Sequence, residues 1–350
     1  MAAACLFVVP NRQYAAKSVV LQRRLPAAIL WAPRGAHGGF RYTTKINRGG
    51  RMKLDYWERR GFLKASGTAA LAACAAAIKG GQLVADETKL RLRKAVKFGM
   101  IGEGKTLEDK FSLIRELGFE GVEFNSPSGI NREEAVSARD KTGIEIHGVV
   151  DSIHWQTRLS DPDPAVREKG LEGLQTAIRD CAYYGGTTVL LVPGKVTDEK
   201  NENFDQVWER STEQVKKAIP LADEHKVKIG IEVVWNNFIT TPEQLIKYVD
   251  QFETPTVGAY FDSSNMIKYG VPSADWIRKL GKRMLKFDLK GYSKSKQWVG
   301  IGEGDENWPD FLKALDEVGY QGWATAEVGG GGRDVLADIS KRMDKVLGLA

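Results

Sequence analysis

The chain has 350 residues, with 51 basic and 45 acidic side chains and 42% hydrophobic content. That is too apolar and too mixed in charge for a disordered protein, and no apolar run reaches the roughly 18 residues of a spanning helix. The net charge of +6 belongs to one end: residues 1–51 carry nine Lys or Arg and no acid, whereas residues 86–350 carry 37 basic and 43 acidic side chains. A body of net charge −6 argues against a nucleic-acid footprint.

In chain order, residues 1–51 show no clear periodicity. An Arg-rich, acid-free start of this kind resembles an organelle transit peptide. A better signal opens at Met52. Arg59-Arg60 followed by Phe62-Leu63-Lys64 resembles a bacterial twin-arginine signal, and Ala65 to Ile78 is its short, weakly apolar core. The expected organisation is a non-native or disordered extension over 1–51, a twin-arginine signal segment over 52–85, and a folded body over 86–350. The expected location is periplasmic. Leu71-Ala72-Ala73-Cys74 also matches a lipoprotein cleavage box, which would lipidate Cys74 and anchor the protein; a simple cut near Ala77 or Ala85 is the competing reading. Of the three cysteines, Cys5, Cys74 and Cys181, only Cys181 would remain free. That leaves no intrachain disulfide and no Cys-based zinc site.

From residue 95 the chain alternates short β-type runs with amphipathic helical stretches. The strands are expected at Val96–Met100, Gly121–Phe124, Ile144–Val150, Thr188–Val192, Lys228–Val234, Val257–Phe261, Met284–Leu289 and Trp323–Glu327. Helices are expected at Leu107–Leu117, Arg132–Thr142, Pro164–Tyr184, Phe204–His225, Pro242–Gln251, Ala274–Leu280, Trp308–Val318 and Val335–Leu347. Glycines after the helices, as at Gly118, Gly143 and Gly319, mark left-handed stops. Eight β and eight α in strict alternation is the grammar of an α/β protein with a single (β/α)8 TIM barrel behind a cleavable or disordered leader. A doubly wound sheet is the runner-up, but Gly99 to Gly104 lacks the spacing of a phosphate loop.

A barrel places its chemistry at the carboxyl ends of its strands. The last four strands each deliver one carboxylate there: Glu232, Asp262, Asp288 and Glu327. A lone carboxylate in an apolar strand is costly unless paired or metal-bound, and four converging on one rim need a cation between them. An all-oxygen set suits Mn²⁺ or Mg²⁺ better than Zn²⁺. His154 and Trp155 follow the third strand; His147, earlier in that strand, is read as packed. Glu123 ends the second strand. Glu303 and Arg333 sit in glycine-rich loops after strands seven and eight.

These stretches resemble a known family. Ile231-Glu-Val-Val-Trp-Asn-Asn-Phe238, Val257-Gly-Ala-Tyr-Phe-Asp-Ser-Ser-Asn265, Trp276 to Arg283, Gly300 to Trp308 and Gly319 to Glu327 are similar to the sugar phosphate isomerase/epimerase group of xylose-isomerase-like TIM barrels. Relatives of that group include hydroxypyruvate isomerase and tagatose 3-epimerase. The resemblance covers roughly residues 95–347. It implies a divalent metal held by Glu, Asp, His and Glu from strands five to eight. Those positions fall on Glu232, Asp262, Asp288 and Glu327, so Asp288 stands where the family has His. Lys286 and Lys290 share the face of Asp288, and pairing with it would weaken or remove the metal site.

The resemblance implies a metal-dependent isomerase or epimerase acting on a sugar or keto-sugar through an enediolate. Glu232 and Glu327 would trade the roles of base and acid. His154, Trp155, Trp235, Lys290, Glu123 and Glu303 would contact substrate, with Trp298 a further stacking surface. Export favours a free sugar, keto-sugar or glycoside over a phosphorylated one. Two alternatives remain open at this point: a 3-keto-glycoside lyase or hydrolase using the same metal site, and a catalytically degenerate sugar-binding barrel. A DNA-repair endonuclease would need a multi-histidine cluster, and the body has three His.

Overall fold

A computed structural model describes residues 91–350 of the chain. The expected signal pair Arg59-Arg60 and the lipidation candidate Cys74 lie outside the described residues. Eight parallel strands close into a barrel: β1 (Leu92–Lys97), β2 (Gly121–Ser126), β3 (Glu145–Asp151), β4 (Thr188–Leu191), β5 (Lys228–Glu232), β6 (Val257–Asp262), β7 (Met284–Leu289) and, after a two-stranded hairpin of β8 (Gly291–Ser293) and β9 (Gln297–Val299), β10 (Gly322–Ala326). Each barrel strand pairs with its chain neighbour, and β1 closes the ring against β10.

Around the strands lie α1 (Leu107–Glu116), α2 (Arg132–Thr142), α3 (Pro164–Tyr184), α4 (Phe204–His225), α5 (Pro242–Asp250), the short α6 (Asn265–Lys268), α7 (Ser273–Leu280), α8 (Trp308–Glu317) and α9 (Arg333–Leu347). Their starts are encoded locally. Thr106, Asn203 and Thr241 each accept a bond from a backbone N–H three residues on, and the residue there bonds back, forming capping boxes. α2 stops at Gly143, with φ of 71°, which a Cβ would disfavour. The apolar faces of the helices cover the outside of the sheet, with Phe111, Ile178, Val215, Tyr248, Trp276, Phe311 and Met343 fully buried there. Cys181 is free and buried on α3.

The structure moves the first strand four residues earlier than expected. Leu92–Lys97 reads LRKAVK, a charged string, because its polar side chains find partners in three dimensions. Arg93 pairs with Glu120 at 3.0 Å and Glu145 at 2.7 Å, and Lys94 reaches Ser340 and Asp344. Phe98–Met100 is a single 3₁₀ turn instead of strand. β5 ends at Glu232, two residues short of Val234. The expected eighth strand is one residue early, yet Glu327 N still donates to Leu289 O at 3.0 Å, continuing the ladder. Neither α6 nor the β8–β9 hairpin was expected: each is a three- or four-residue piece with too few positions to show a period.

Candidate active site

Strand register gathers the four carboxylates. Asp262 on β6 lies opposite Asp288 on β7, Glu232 on β5 opposite Tyr260, and Asp288 opposite Thr325, two residues before Glu327. One oxygen from each of Glu232, Asp262, Asp288 and Glu327 lies within 4.8 Å of the others. Asp262, Asp288 and Glu232 are buried, while the side chain of Glu327 is 40% exposed and faces the mouth. Asp262 is oriented by two backbone donors: Ser264 N and Asn265 N each reach its Oδ1 at 2.8 Å.

Two ammonium groups lie among these acids. Lys290 Nζ sits 2.8 Å from Asp262 Oδ2 and 2.8 Å from Glu327 Oε2. Lys97 Nζ, from the end of β1, sits 2.8 Å from Asp288 Oδ2 and pairs also with Glu123. Tyr260 donates to Glu123 Oε1 at 2.9 Å and approaches Asp288 at 3.3 Å. Lys97 and Tyr260 were not singled out from sequence. Lys97 falls near the start of the strand expected at Val96–Met100, away from the strand ends that supplied the candidates; β1 in fact ends on it.

Neither Lys286 nor Lys290 pairs with Asp288, although both share its face: Lys290 goes to Asp262 and Glu327. Lys286 turns one layer deeper, where its Nζ meets His147 Nδ1 at 3.0 Å and His147 O at 2.5 Å. His147 stacks on Trp323 at 4.6 Å and is packed, as read. Lys97 takes the place beside Asp288 instead of either of them.

Five carboxylates, counting Glu123, thus face two ammonium groups. Burial and unequal contact with the two ammonium groups set the acids apart in acidity. Burial, reinforced by Glu327 and Asp262 against the pull of Lys290, pushes Glu232 up to about 8. Burial also raises Asp288 well above the carboxylate range, though Lys97 opposes it. Burial works the same way on Glu327, but Lys97 and Lys290 overcome it and hold that carboxyl down to about 2. Environments that separate two neighbouring carboxyls in this way equip one as an acid and the other as a base.

The donor set fits a hard divalent cation. Asp262 Oδ2, Asp288 Oδ2 and Glu327 Oε2 are buried oxygens without a hydrogen bond; they meet the lysines only as ion pairs. All four donors are carboxylate oxygens, the chemistry that Mg²⁺ and Mn²⁺ prefer.

The remaining expected substrate contacts divide. His154 is buried in the turn after β3; its Nδ1 accepts from Val192 N at 3.4 Å, leaving Nε2 as the donor. Burial, then the Lys97 charge, lowers it to about 4, so it is neutral. Trp155, exposed, stands edge-on to it at 5.2 Å. Glu123 reaches the cluster only through Lys97 and Tyr260, fully enclosed. Trp235 is already engaged: Trp298 stacks on it at 5.0 Å and Lys268 Nζ lies 4.4 Å over its ring. The exposed stacking surface is therefore Trp298, carried by the hairpin. Glu303 does not join the cluster; it bonds Arg342 at 2.6 Å on the outer flank. Arg333 opens α9 and pairs with Glu116 at 2.8 Å.

The chain is similar to several known proteins. It is 24% identical over 265 residues to L-ribulose-5-phosphate 3-epimerase UlaE of Escherichia coli O1:K1, covering 69% of this chain and 89% of that protein. It is 25% identical over 221 residues to a ketose 3-epimerase of Arthrobacter globiformis, covering 59% of this chain and 72% of that protein. Among solved structures, the apo form of the Escherichia coli 3-keto-D-glucoside 4-epimerase YcjR superposes with a TM-score of 0.62 at 15% identity, covering 74% of this chain and 99% of that one, which shows the shared fold. The family model described as xylose isomerase-like TIM barrel matches residues 111–345, and the chain belongs to that family.

Proposed function

We propose that the protein is a sugar epimerase or isomerase that moves a proton on the carbon beside a carbonyl, through an enediolate. The observation that carries this reading is geometric: Glu232 and Glu327 stand in one carboxylate cluster at the barrel mouth, with oxygens within 4.8 Å of one another. Relatives named as L-ribulose-5-phosphate and ketose 3-epimerases support it.

In this reading Glu327, ionised and facing the mouth, takes the proton from carbon, and Glu232 returns one from the other side. Lys290 holds Glu327 in place and, with Lys97, presents fixed positive charge to the oxygens that become negative. His154 donates from Nε2 to a sugar hydroxyl. Glu232, Asp262, Asp288 and Glu327 would hold a divalent cation, Mn²⁺ or Mg²⁺ by donor chemistry, which would stabilise charge on the enediolate oxygens. Export through the twin-arginine route belongs to the same reading and rests on Arg59-Arg60 with Phe62-Leu63-Lys64. A second reading, lyase or hydrolase action on a 3-keto-glycoside from the same site, is favoured by the cavity beside Glu327.

The test is proton exchange. The full chain is incubated in D₂O with Mn²⁺ and a panel of ketoses and 3-keto-glycosides and followed by NMR. Deuterium is expected at the carbon next to the carbonyl, with Glu327→Gln slower by about 10²–10⁴-fold. The product then separates epimerisation from elimination. A folded, metal-loaded protein that exchanges nothing across the panel overturns the proposal; if it still binds the sugars, it is a binding barrel.

A further inference from the structure

A cavity of about 660 Å³ opens beside the carboxylate cluster and shares Lys290 and Glu327 with it. Its far wall is apolar, built from Trp298, Ile301, Val328, Val335 and Ile339. Trp298 is 54% exposed and Val335 45%, so two large hydrophobic side chains are left facing water at this one place. Exposed apolar surface gathered in a concavity next to reacting groups is the mark of a ligand site.

The position is the one where TIM barrels commonly seat a phosphate, between the loops after the seventh and eighth barrel strands and a helix N-terminus. Here the anion-binding groups are already taken. Gly331 N donates to Met100 O at 3.0 Å and Gly102 N donates to Gly331 O at 2.9 Å, so the glycine run 329–332 is tied to the turn and loop after β1. At the start of α9, Arg333 N donates to Glu103 Oε2 at 2.8 Å, which puts the chain's own carboxylate where a phosphate oxygen would bind. The cations lining the cavity are also engaged. Arg342 is held by Glu303 at 2.6 Å and Asp338 at 2.5 Å, and Lys290 by Asp262 and Glu327. Asp338 and Glu327 are themselves part of the lining and would repel a dianion.

We infer that this cavity receives a neutral, apolar substituent carried by the sugar, so that the substrate is an aryl or alkyl keto-glycoside and not a sugar phosphate. The inference rests on the proposed sugar chemistry of the adjoining carboxylates. Trp298 supplies the flat face for an aryl ring, and Ile301 and Ile339 the floor, while the carbon beside the sugar's carbonyl lies against Glu327.

Three probes test it on the full chain: 4-nitrophenyl 3-keto-glucoside, its methyl counterpart, and a ketose 5-phosphate. The first readout is kcat/KM for deuterium exchange; the second is saturation transfer from protein to the aryl protons. The aryl probe is expected to exceed the methyl probe by about tenfold or more, with the phosphate poorest. Val335→Arg, a change at an exposed helix position that fills the cavity, is expected to bring the aryl-to-methyl ratio towards one and to abolish saturation transfer. A ketose phosphate equal to or better than the aryl probe, or a ratio untouched by Val335→Arg, overturns the inference. Absence of exchange with all three probes overturns the catalytic reading alone, because saturation transfer and its loss in Val335→Arg still decide the cavity.

Discussion

The two halves of the barrel mouth are built differently. β5, β6, β7 and the end of β10 deliver one carboxylate each, whereas the β1–β3 side delivers Lys97, Glu123 and, beyond the third strand, neutral His154. The acidic half by itself is an electrostatic conflict. The other half answers it with an ammonium group that reaches past β10 from β1 to β7. A site that looks from one side like a bare metal cradle is therefore already partly neutralised by its own chain, and any divalent ion shares the cluster with two lysines.

The largest expected effect comes from cutting the bridge between the halves. Lys97→Met leaves Glu123 and Asp288 buried beside one another without their cation, and denaturant unfolding should show a loss of about 3–5 kcal/mol. Adding Glu123→Gln to that variant should restore part of it. A loss below about 1 kcal/mol would mean that the two halves are energetically independent.

The next effect lies on the β3 side, away from the cluster. Asp151 is buried at the end of β3, and burial raises its carboxyl to about 7. The folded protein thus holds this proton while the unfolded chain releases it near 4. The stabilisation is complete below about pH 4, declines as pH rises towards 7, and is absent above that. Asp151→Asn should flatten this slope and leave the variant more stable than the parent at pH 8, by as much as about 4 kcal/mol. A stability profile of unchanged slope in the variant would show that Asp151 ionises freely.

The smallest effect sharpens the acidic half. Asp288→His exchanges a hard oxygen donor for an imidazole. It should move the ratio of Zn²⁺ to Mn²⁺ affinity towards zinc by about tenfold in competition titrations. No change in the ratio would remove Asp288 from the ligand set.

Much of this molecule was legible before folding. Helices α2, α3 and α4 and strand β7 stand at the residues that periodicity and capping assigned, because those signals are carried within a few residues of chain. The acidic quartet was legible for the same reason: each carboxylate closes its own apolar strand. Lys97 was passed over because the first strand is expected at Val96–Met100, which puts Lys97 near its start, whereas β1 in fact ends on it. The engagement of Trp235 was hidden too, since its partner Trp298 arrives on a hairpin of three-residue strands.

The sequence by itself determined the alternating barrel and the rim on which its acids stand, since strand period, helix caps and glycine stops act over neighbours. Only the tertiary structure decided which cation answers which acid. Lys97 meets Asp288 and Lys286 meets His147 through barrel closure and strand register. The pairing of β1 with β10, more than two hundred residues apart, exists only once the ring is shut. The apolar cavity beside Glu327 likewise belongs to no single segment, because its walls come from the hairpin, the last barrel strand's loop and α9, and Glu103 from the first loop closes its anion site.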